Sequence, residues 1–303
     1  MSKVNSQILT IVGGSGFIGK SILDAFNNGL LKKYKIVRIN IICRKKFKLK
    51  KKKTSLKKIR VIYADIGKLK NLPQSDLYIY AAESTDVNNL LKKNLKKAHK
   101  KNIQNFVKLV SNFKNSKVLY ISSGAVNYFN QKNFQDPYKI QYTKLKIFSE
   151  REIKKLKKFK IKSSIARCYT FIGPHLPVKQ HYAIGNFLHD AKYKNKILIK
   201  KKMKVIRSYM YADDMVRWLI LILLNSKMKT ITYNVGSDQP VELHSLANKI
   251  AKLFKRKIHI SKAKQETNKI DKYVPNISKT KSDLKIKILY NLSKSLKKCL
   301  KFI

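Results

Sequence analysis

Cysteine, arginine and acidic side chains are all scarce in this chain, and each shortage bears on what it can do. Three cysteines (Cys43, Cys168, Cys299) lie far apart and without metal-ligand spacing. That excludes a disulfide framework and suits a reducing cytoplasm. No His/Cys/Asp cluster has ligand spacing either, so no metal is expected. Long apolar runs are missing too. The longest candidate, residues 218–224, lies inside an amphipathic helix pattern and falls far short of the roughly 18 residues a membrane span requires. The first residues carry no apolar secretion segment. The expectation is a soluble cytoplasmic protein with no membrane partner.

Acidic residues number 16 against 69 Lys+Arg, for a formal charge of +53. Such a balance raises the question of nucleic acid. Only 8 of the basic residues are arginine, however, whereas bidentate reading of phosphate or guanine favours arginine. The lysines are spread along the whole chain among abundant Ile, Asn, Tyr and Phe, as drift toward AT-rich codons produces. No specific nucleic-acid partner is expected.

With 303 residues the chain suits one enlarged α/β domain or two. Apolar runs at residues 8–12, 35–43, 60–64, 77–82, 118–122 and 162–168 read as six strands. Helical patterns separate them, at 17–28, 89–112 and 142–159. The lysine-rich run 45–58 reads as a solvated loop. This alternation predicts a doubly wound parallel sheet with its ligand crevice at the strand C-termini. Beyond Gly173-Pro174 the pattern loosens into a smaller, mostly helical region.

The first strand feeds Gly13-Gly14-Ser15-Gly16-Phe17-Ile18-Gly19, which opens the first helix. Glycines at 13, 16 and 19 allow a tight turn, close approach to phosphate and helix–strand packing. The helix N-terminus supplies free N–H groups to a dinucleotide pyrophosphate. Far downstream, Tyr142 and Lys146 stand four apart on a predicted helix and so share a face. An ammonium there lowers the pKa of a phenol, ordinarily about 10. Such a phenol takes a proton from an alcohol while hydride leaves for nicotinamide. Ser123, ending the fifth strand, is placed to share a hydrogen bond with the reacting oxygen. Taken alone, each of these patterns also arises by chance in so lysine- and tyrosine-rich a chain.

Together they resemble the extended short-chain dehydrogenase/reductases of the nucleotide-sugar epimerase/dehydratase group, over essentially the whole chain. Residues 13–19 match that family's G-x-x-G-F-I-G loop. Asp65-Ile66 resembles its Asp-apolar pair at the adenine, and Ala81-Ala82 its small-residue strand end along the cofactor. Ser122-Ser123-Gly124-Ala125-Val126 resembles S-S-x-x-V, while Tyr142, Lys146 and Glu150 match Y-x-x-x-K-x-x-x-E. Residues 167–174 (RCYTFIGP) resemble R-x-x-N-x-x-G-P, with Thr170 in place of Asn. Residues 206–214 resemble R-x-x-x-x-V-x-D, and residues 233–236 resemble Y-N-V-G.

The resemblance implies a Rossmann domain over residues 1–172, with 205–240 returning to it, and a substrate-binding region over 173–204 and 241–303. It implies Ser123, Tyr142 and Lys146 as catalytic residues. Gly13, Gly16, Phe17, Ile18, Gly19, Asp65, Ile66, Ala81 and Ala82 would hold the cofactor, with Tyr142 and Lys146 beside it. Arg207 and Asn186 would contact the diphosphate of a nucleotide sugar, although a salt bridge from Arg207 to Asp213 or Asp214 is the alternative. A homodimer is implied. The family's 4,6-dehydratases carry Asp-Glu where this chain has Gly124 and Ala125, which transfer no protons. C4 epimerisation or 4-keto reduction is therefore favoured over dehydration. Val126-Asn127-Tyr128 replaces the usual V-Y-G. Where an acid after the second strand would select NAD, the chain has Cys43-Arg44-Lys45, so Arg44 favours NADP over NAD. His175 and His181 read as loop residues, and Asn102 as a candidate proton-relay member. The competing functions are an NADPH-dependent reductase of a small carbonyl compound and a non-catalytic cofactor-binding regulator.

Overall fold

Val, Ile, Leu and Tyr fill the central strands because those strands are buried on both faces, as helices on either side of a sheet require. The computed structural model describes residues 6–47, 58–82, 92–131, 136–176, 183–200, 203–254, 259–262 and 270–302. Six strands run Gln7–Val12 (β1), Ile36–Cys43 (β2), Ile59–Tyr63 (β3), Leu77–Tyr80 (β4), Lys117–Ser123 (β5) and Lys162–Cys168 (β6). They pair in parallel throughout. Ile231–Val235 (β11) joins at the β6 edge, giving the order β11-β6-β5-β4-β1-β2-β3. Strand order reverses between β1 and β4, which opens a crevice outside their C-terminal ends.

Three described helices cover this sheet: Phe17–Asn27 (α1), Lys93–Val110 (α2) and Pro137–Lys154 (α3). On α2, Ile103, Phe106, Val107 and Val110 recur at i, i+3, i+4 and i+7 and share one core with Tyr78, Tyr80 and Tyr120. The Phe106 and Tyr80 rings lie 4.9 Å apart. Residues 89–91, where the sequence pattern starts this helix, lie outside the described residues, as do 48–57 of the expected loop. α3 begins five residues before its expected start. Asp136 caps it, its Oδ1 accepting from the N–H groups of Tyr138 (2.9 Å) and Lys139 (3.2 Å), and Pro137 occupies the first turn. An Asp-Pro pair is a helix-start signal that apolar periodicity does not reveal.

By its internal contacts the chain divides into Met1–Cys168 with Trp218–Tyr233, and Tyr169–Arg217 with Asn234–Ile303. Of the stretch 205–240, residues 218–233 group with the first unit. The second unit interleaves short sheets with helices. Lys204–Arg207 (β9) lies between Val241–Glu242 (β12), antiparallel, and Ile270–Tyr273 (β14), parallel. Phe171–Ile172 (β7) pairs with Met210–Tyr211 (β10), and Lys196–Ile199 (β8) with His259–Lys262 (β13). Its helices are Ala183–Tyr193 (α4), the start of Ala212–Leu224 (α5), Leu243–Ala251 (α6), Ser278–Leu284 (α7) and Leu292–Cys299 (α8). Ile184, Phe187, Leu188, Val205, Tyr209 and Leu246 belong to its core. Among the described residues, no helix is long and apolar enough to cross a membrane.

One buried carboxylate fastens this unit. Asp214 is fully buried, its Oδ2 accepting from the N–H groups of Leu289 and Tyr290, both at 2.9 Å, and its Oδ1 from Arg217 at 2.6 Å. Burial pushes its carboxyl up despite these donors. Removing it strands two backbone N–H groups and a guanidinium. Asp214→Ala is therefore expected to lower unfolding free energy by about 3 kcal/mol, read from the urea midpoint at constant slope. An unchanged midpoint would mean that water replaces the carboxylate freely.

Candidate active site

The glycine loop is shaped by backbone crowding. Gly13 donates its N–H to the Ile42 carbonyl (2.8 Å) and holds φ +97°, a left-handed conformation that favours glycine. A Cβ there would lie 2.6 Å from the Ala81 carbonyl carbon and oxygen and from the Ala82 nitrogen. Ala81 in turn donates to Val12 (2.8 Å), so the ends of β1, β2 and β4 are tied together at the crevice. Gly19 packs against Gly14, where a Cβ would meet the Gly14 oxygen at 2.6 Å. Gly14 is itself pressed against Ile41, a constraint the Gly13-x-x-Gly16-x-x-Gly19 spacing does not reveal.

Gly16 differs from the others. It is exposed, and the nearest atom to a Cβ there is 3.6 Å away. It caps α1 without any side-chain hydrogen bond, and the first turn of α1, with half-buried Phe17 and Ile18, carries no acid. The positive end of the helix thus opens beside glycine backbone with no side-chain cap. These features fit a dinucleotide diphosphate.

Past β3, Asp65 Oδ1 accepts from the Gly67 N–H (2.9 Å), and Asn105 Nδ2 donates to the carbonyls of Ile66 (2.6 Å) and Leu69 (2.9 Å). Asn102 Oδ1 fills the space beside Gly67. Asn102 therefore braces the Asp65 loop, which is where the structure puts the residue the sequence offered to a proton relay. Arg44 stands exposed just past β2. Ala81 and Ala82, just past β4, are half-buried.

α3 carries Tyr142, Lys146 and Glu150 on one stripe, four residues apart. Lys146 is 4% exposed and its Nζ donates to the Ile121 carbonyl of β5 at 2.9 Å. That places the ammonium 5.5 Å from the Tyr142 ring centre and 5.4 Å from that of Tyr120. Tyr142 is half-buried. Ser123 ends the same strand two residues beyond Ile121, 8% exposed, its Oγ accepting from the Ala125 N–H at 3.2 Å. The fold brings the ammonium of Lys146 to the Tyr142 ring and sets both beside the strand that ends in Ser123. Opposite Ser123 in register lies Cys168, whose thiol burial pushes up to about 12 against the pull of Lys146.

One turn further along α3, Glu150 is 4% exposed and fully engaged. Its Oε1 accepts from Ser122 (2.6 Å) and from Arg167 Nε (2.9 Å), and its Oε2 from Arg167 Nη2 (2.7 Å). Arg167 Nη1 reaches Asn127 Oδ1 at 2.5 Å. A bidentate pair therefore fixes α3 to β5 and β6 and anchors the turn at residues 124–128. Asn127 is what lets the arginine hold that turn. Sequence matching shows Glu150 and Arg167 as letters of a pattern but not as partners. Gly124 and Ala125 lie in this turn and offer no ionisable group.

In the second unit, Arg207 ends β9. It pairs with Asp271 (2.8 Å) rather than with Asp213 or Asp214, which pair with Lys298 (3.0 Å) and Arg217 (2.6 Å). Asn186 is half-buried on α4, next to Phe187 of the core. His175 is described, whereas His181 lies outside the described residues.

Residues 9–236 match the model of a family described as NAD dependent epimerase/dehydratase. Among solved structures, UDP-glucose 4-epimerase from Thermotoga maritima, with UDP-glucose, superposes with a TM-score of 0.78 at 16% identity, covering 97% of this chain and 98% of that one. A dTDP-glucose 4,6-dehydratase from Bacillus anthracis, in complex with NAD, gives 0.74 at 14% identity, covering 97% and 96%. At such identities the likeness is one of fold. UDP-glucuronic acid decarboxylase 6 from Arabidopsis thaliana is 25% identical over 124 residues, 41% of this chain. The match spans only 36% of that relative's length.

Proposed function

The chain belongs to the NAD-dependent epimerase/dehydratase family, and from that premise we propose that it acts on a nucleoside-diphosphate sugar by hydride transfer, as a C4 epimerase or 4-keto reductase. The observation that carries this reading is the Lys146 ammonium, seated on the Ile121 carbonyl beside the Tyr142 ring. Tyr142 takes the proton from the sugar hydroxyl, or returns it. Lys146 stabilises the phenolate, which is the form of Tyr142 before it takes that proton and after it gives it back. Ser123 donates a hydrogen bond to the reacting oxygen. Gly13, Gly16 and Gly19 would hold the dinucleotide diphosphate with the first turn of α1, and Asp65 and Ile66 would border its adenine. When bound, its nicotinamide would accept hydride from the sugar carbon and give it back. Gly124 and Ala125 offer no acid–base pair for removing water. Arg207 and Asn186 would bind the substrate's diphosphate.

Buried cysteines suit a reducing cytoplasm, and a homodimer belongs to the same reading. The test is incubation of the purified chain with UDP-, dTDP-, CDP- and GDP-sugars and NAD or NADPH, followed by liquid chromatography and mass spectrometry. A shifted retention at unchanged mass, or a gain of two hydrogens, supports the reading. Loss of water, or no conversion of any sugar, contradicts it.

The cofactor is proposed to be NADP. Arg44, one of few arginines and exposed just past β2, suits a 2′-phosphate. Arg44→Asp is expected to weaken NADPH binding by roughly tenfold and improve NADH binding, as measured by quenching of Trp218 or by calorimetry. Equal affinities for both dinucleotides before and after the substitution would remove this assignment.

A further inference from the structure

Arg207 is held in a way that leaves one edge of its guanidinium contested. Its Nη1 donates to two backbone carbonyls, Ile206 at 2.9 Å and Asp271 at 2.8 Å. Those bonds fix the plane of the group and use up the Nη1 protons. Nη2 donates to the Asp271 carboxylate at 2.8 Å. Among the described residues, Nε and the second Nη2 proton have no partner. The edge an anion can grip bidentately is therefore the Nε–Nη2 edge, and the Asp271 carboxylate sits on one of its two nitrogens.

Register explains the pairing. β14 runs parallel to β9 with Asp271 opposite Val205 and Tyr273 opposite Arg207, so Asp271 lies two residues back on the strand beside the arginine. The Tyr273 ring centre is 6.0 Å from the guanidinium carbon and flanks it. Arg207 and Asp271 are 21% and 28% exposed, open enough for a ligand to reach. Partly exposed ion pairs contribute little net stability in water, so exchanging one acid for another at this edge costs little.

We propose that Asp271 competes with the substrate's diphosphate for Arg207 and thereby sets how tightly the chain holds nucleoside diphosphates. This rests on the reading of Arg207 as the diphosphate contact. The diphosphate takes the Nε–Nη2 edge, and the Asp271 carboxylate, bonded to the same Nη2, meets a like charge and competes for that nitrogen. The backbone bonds from Nη1 remain, so the guanidinium stays aimed while its partner changes. Asp271 works as a binding-strength residue and takes no part in the hydride step.

The experiment titrates UDP and, separately, inorganic pyrophosphate into the full chain and its Asp271→Asn, Asp271→Ala and Arg207→Gln variants by calorimetry at low salt. Circular dichroism checks each fold, and Asp271→Asn keeps the answer available if Asp271→Ala unfolds. The expected result is tighter binding of both ligands by Asp271→Asn, on the order of tenfold, and loss of binding in Arg207→Gln. Binding that is unchanged or weaker in Asp271→Asn, while Arg207→Gln loses it, overturns the inference and leaves the reading of Arg207 standing. If Arg207→Gln binds UDP as the parent does, or if neither ligand binds any folded form, the reading of Arg207 fails and this inference with it.

Discussion

Tyr142→Phe is expected to cut turnover of any nucleotide sugar the chain converts by about 10³–10⁴-fold while leaving dinucleotide affinity within roughly twofold of the parent. The substitution removes one oxygen and no ring. Among the described residues that oxygen makes no hydrogen bond, so its loss strands no partner and costs the fold little. The Lys146 ammonium stays where the Ile121 carbonyl holds it, 2.9 Å away, and the ring it faces at 5.5 Å is retained. What disappears is the hydroxyl proposed to take the proton from the sugar. A phenylalanine variant with near-parental turnover would move catalysis away from this pair. One that also lost the dinucleotide would mean that Tyr142 acts in binding. Measuring the turnover number by mass spectrometry and the dinucleotide dissociation constant by calorimetry separates these outcomes.

Gly13→Val is the second large effect. The residue sits at φ +97°, which alone costs a β-branched side chain about 1–3 kcal/mol. Its Cβ would also lie 2.6 Å from backbone atoms of Ala81 and Ala82. Those atoms cannot rotate aside, because Ala81 is bonded to Val12 and follows directly on the buried strand β4. The strand ends must spread, and the crevice spreads with them. Expected is a loss of stability of about 3–5 kcal/mol in all and of dinucleotide affinity by more than about 100-fold. The comparison is Gly16→Ala, where φ is −80° and the nearest atom to the new methyl is 3.6 Å away. That variant should unfold at the parental temperature without ligand, yet gain less from added dinucleotide, because the methyl covers the open end of α1. Thermal unfolding with and without dinucleotide reads both effects. Equal ligand-induced shifts in the parent and in Gly16→Ala would remove the diphosphate from this loop.

Strands were the legible part of the chain. Burial on both faces turns β1, β4 and β5 into nearly continuous apolar runs. Helix boundaries were less so. The start of α3 is set by the Asp136 side chain and Pro137, and neither leaves a mark on apolar spacing. Of the candidate site, the residues of local patterns were visible: the glycines of one turn, and Tyr142 and Lys146 of one helix face. Long-range pairings were not. Lys146 reaches the Ile121 carbonyl across 25 residues of chain, and any strand carbonyl would look the same in sequence. Arg207 finds Asp271 across 64 residues because β14 docks beside β9, whereas sequence proximity pointed to Asp213 and Asp214. In so lysine-rich a chain, an acid's partner is chosen by topology. Asp213 takes Lys298, 85 residues away, for the same reason. The small sheets of the second unit were also hidden, because strands of two to four residues are too short to show a period.

The most direct measurement repeats the nucleotide-sugar incubation in D2O with the intact chain and its coenzyme, then counts deuterium bound to carbon. Hydride passing between a sugar carbon and the nicotinamide, with Tyr142 moving only the hydroxyl proton and no acid–base pair at 124–125, predicts a converted sugar with no carbon-bound deuterium. A product carrying solvent deuterium on carbon, or conversion that persists undiminished in Tyr142→Phe, would contradict it.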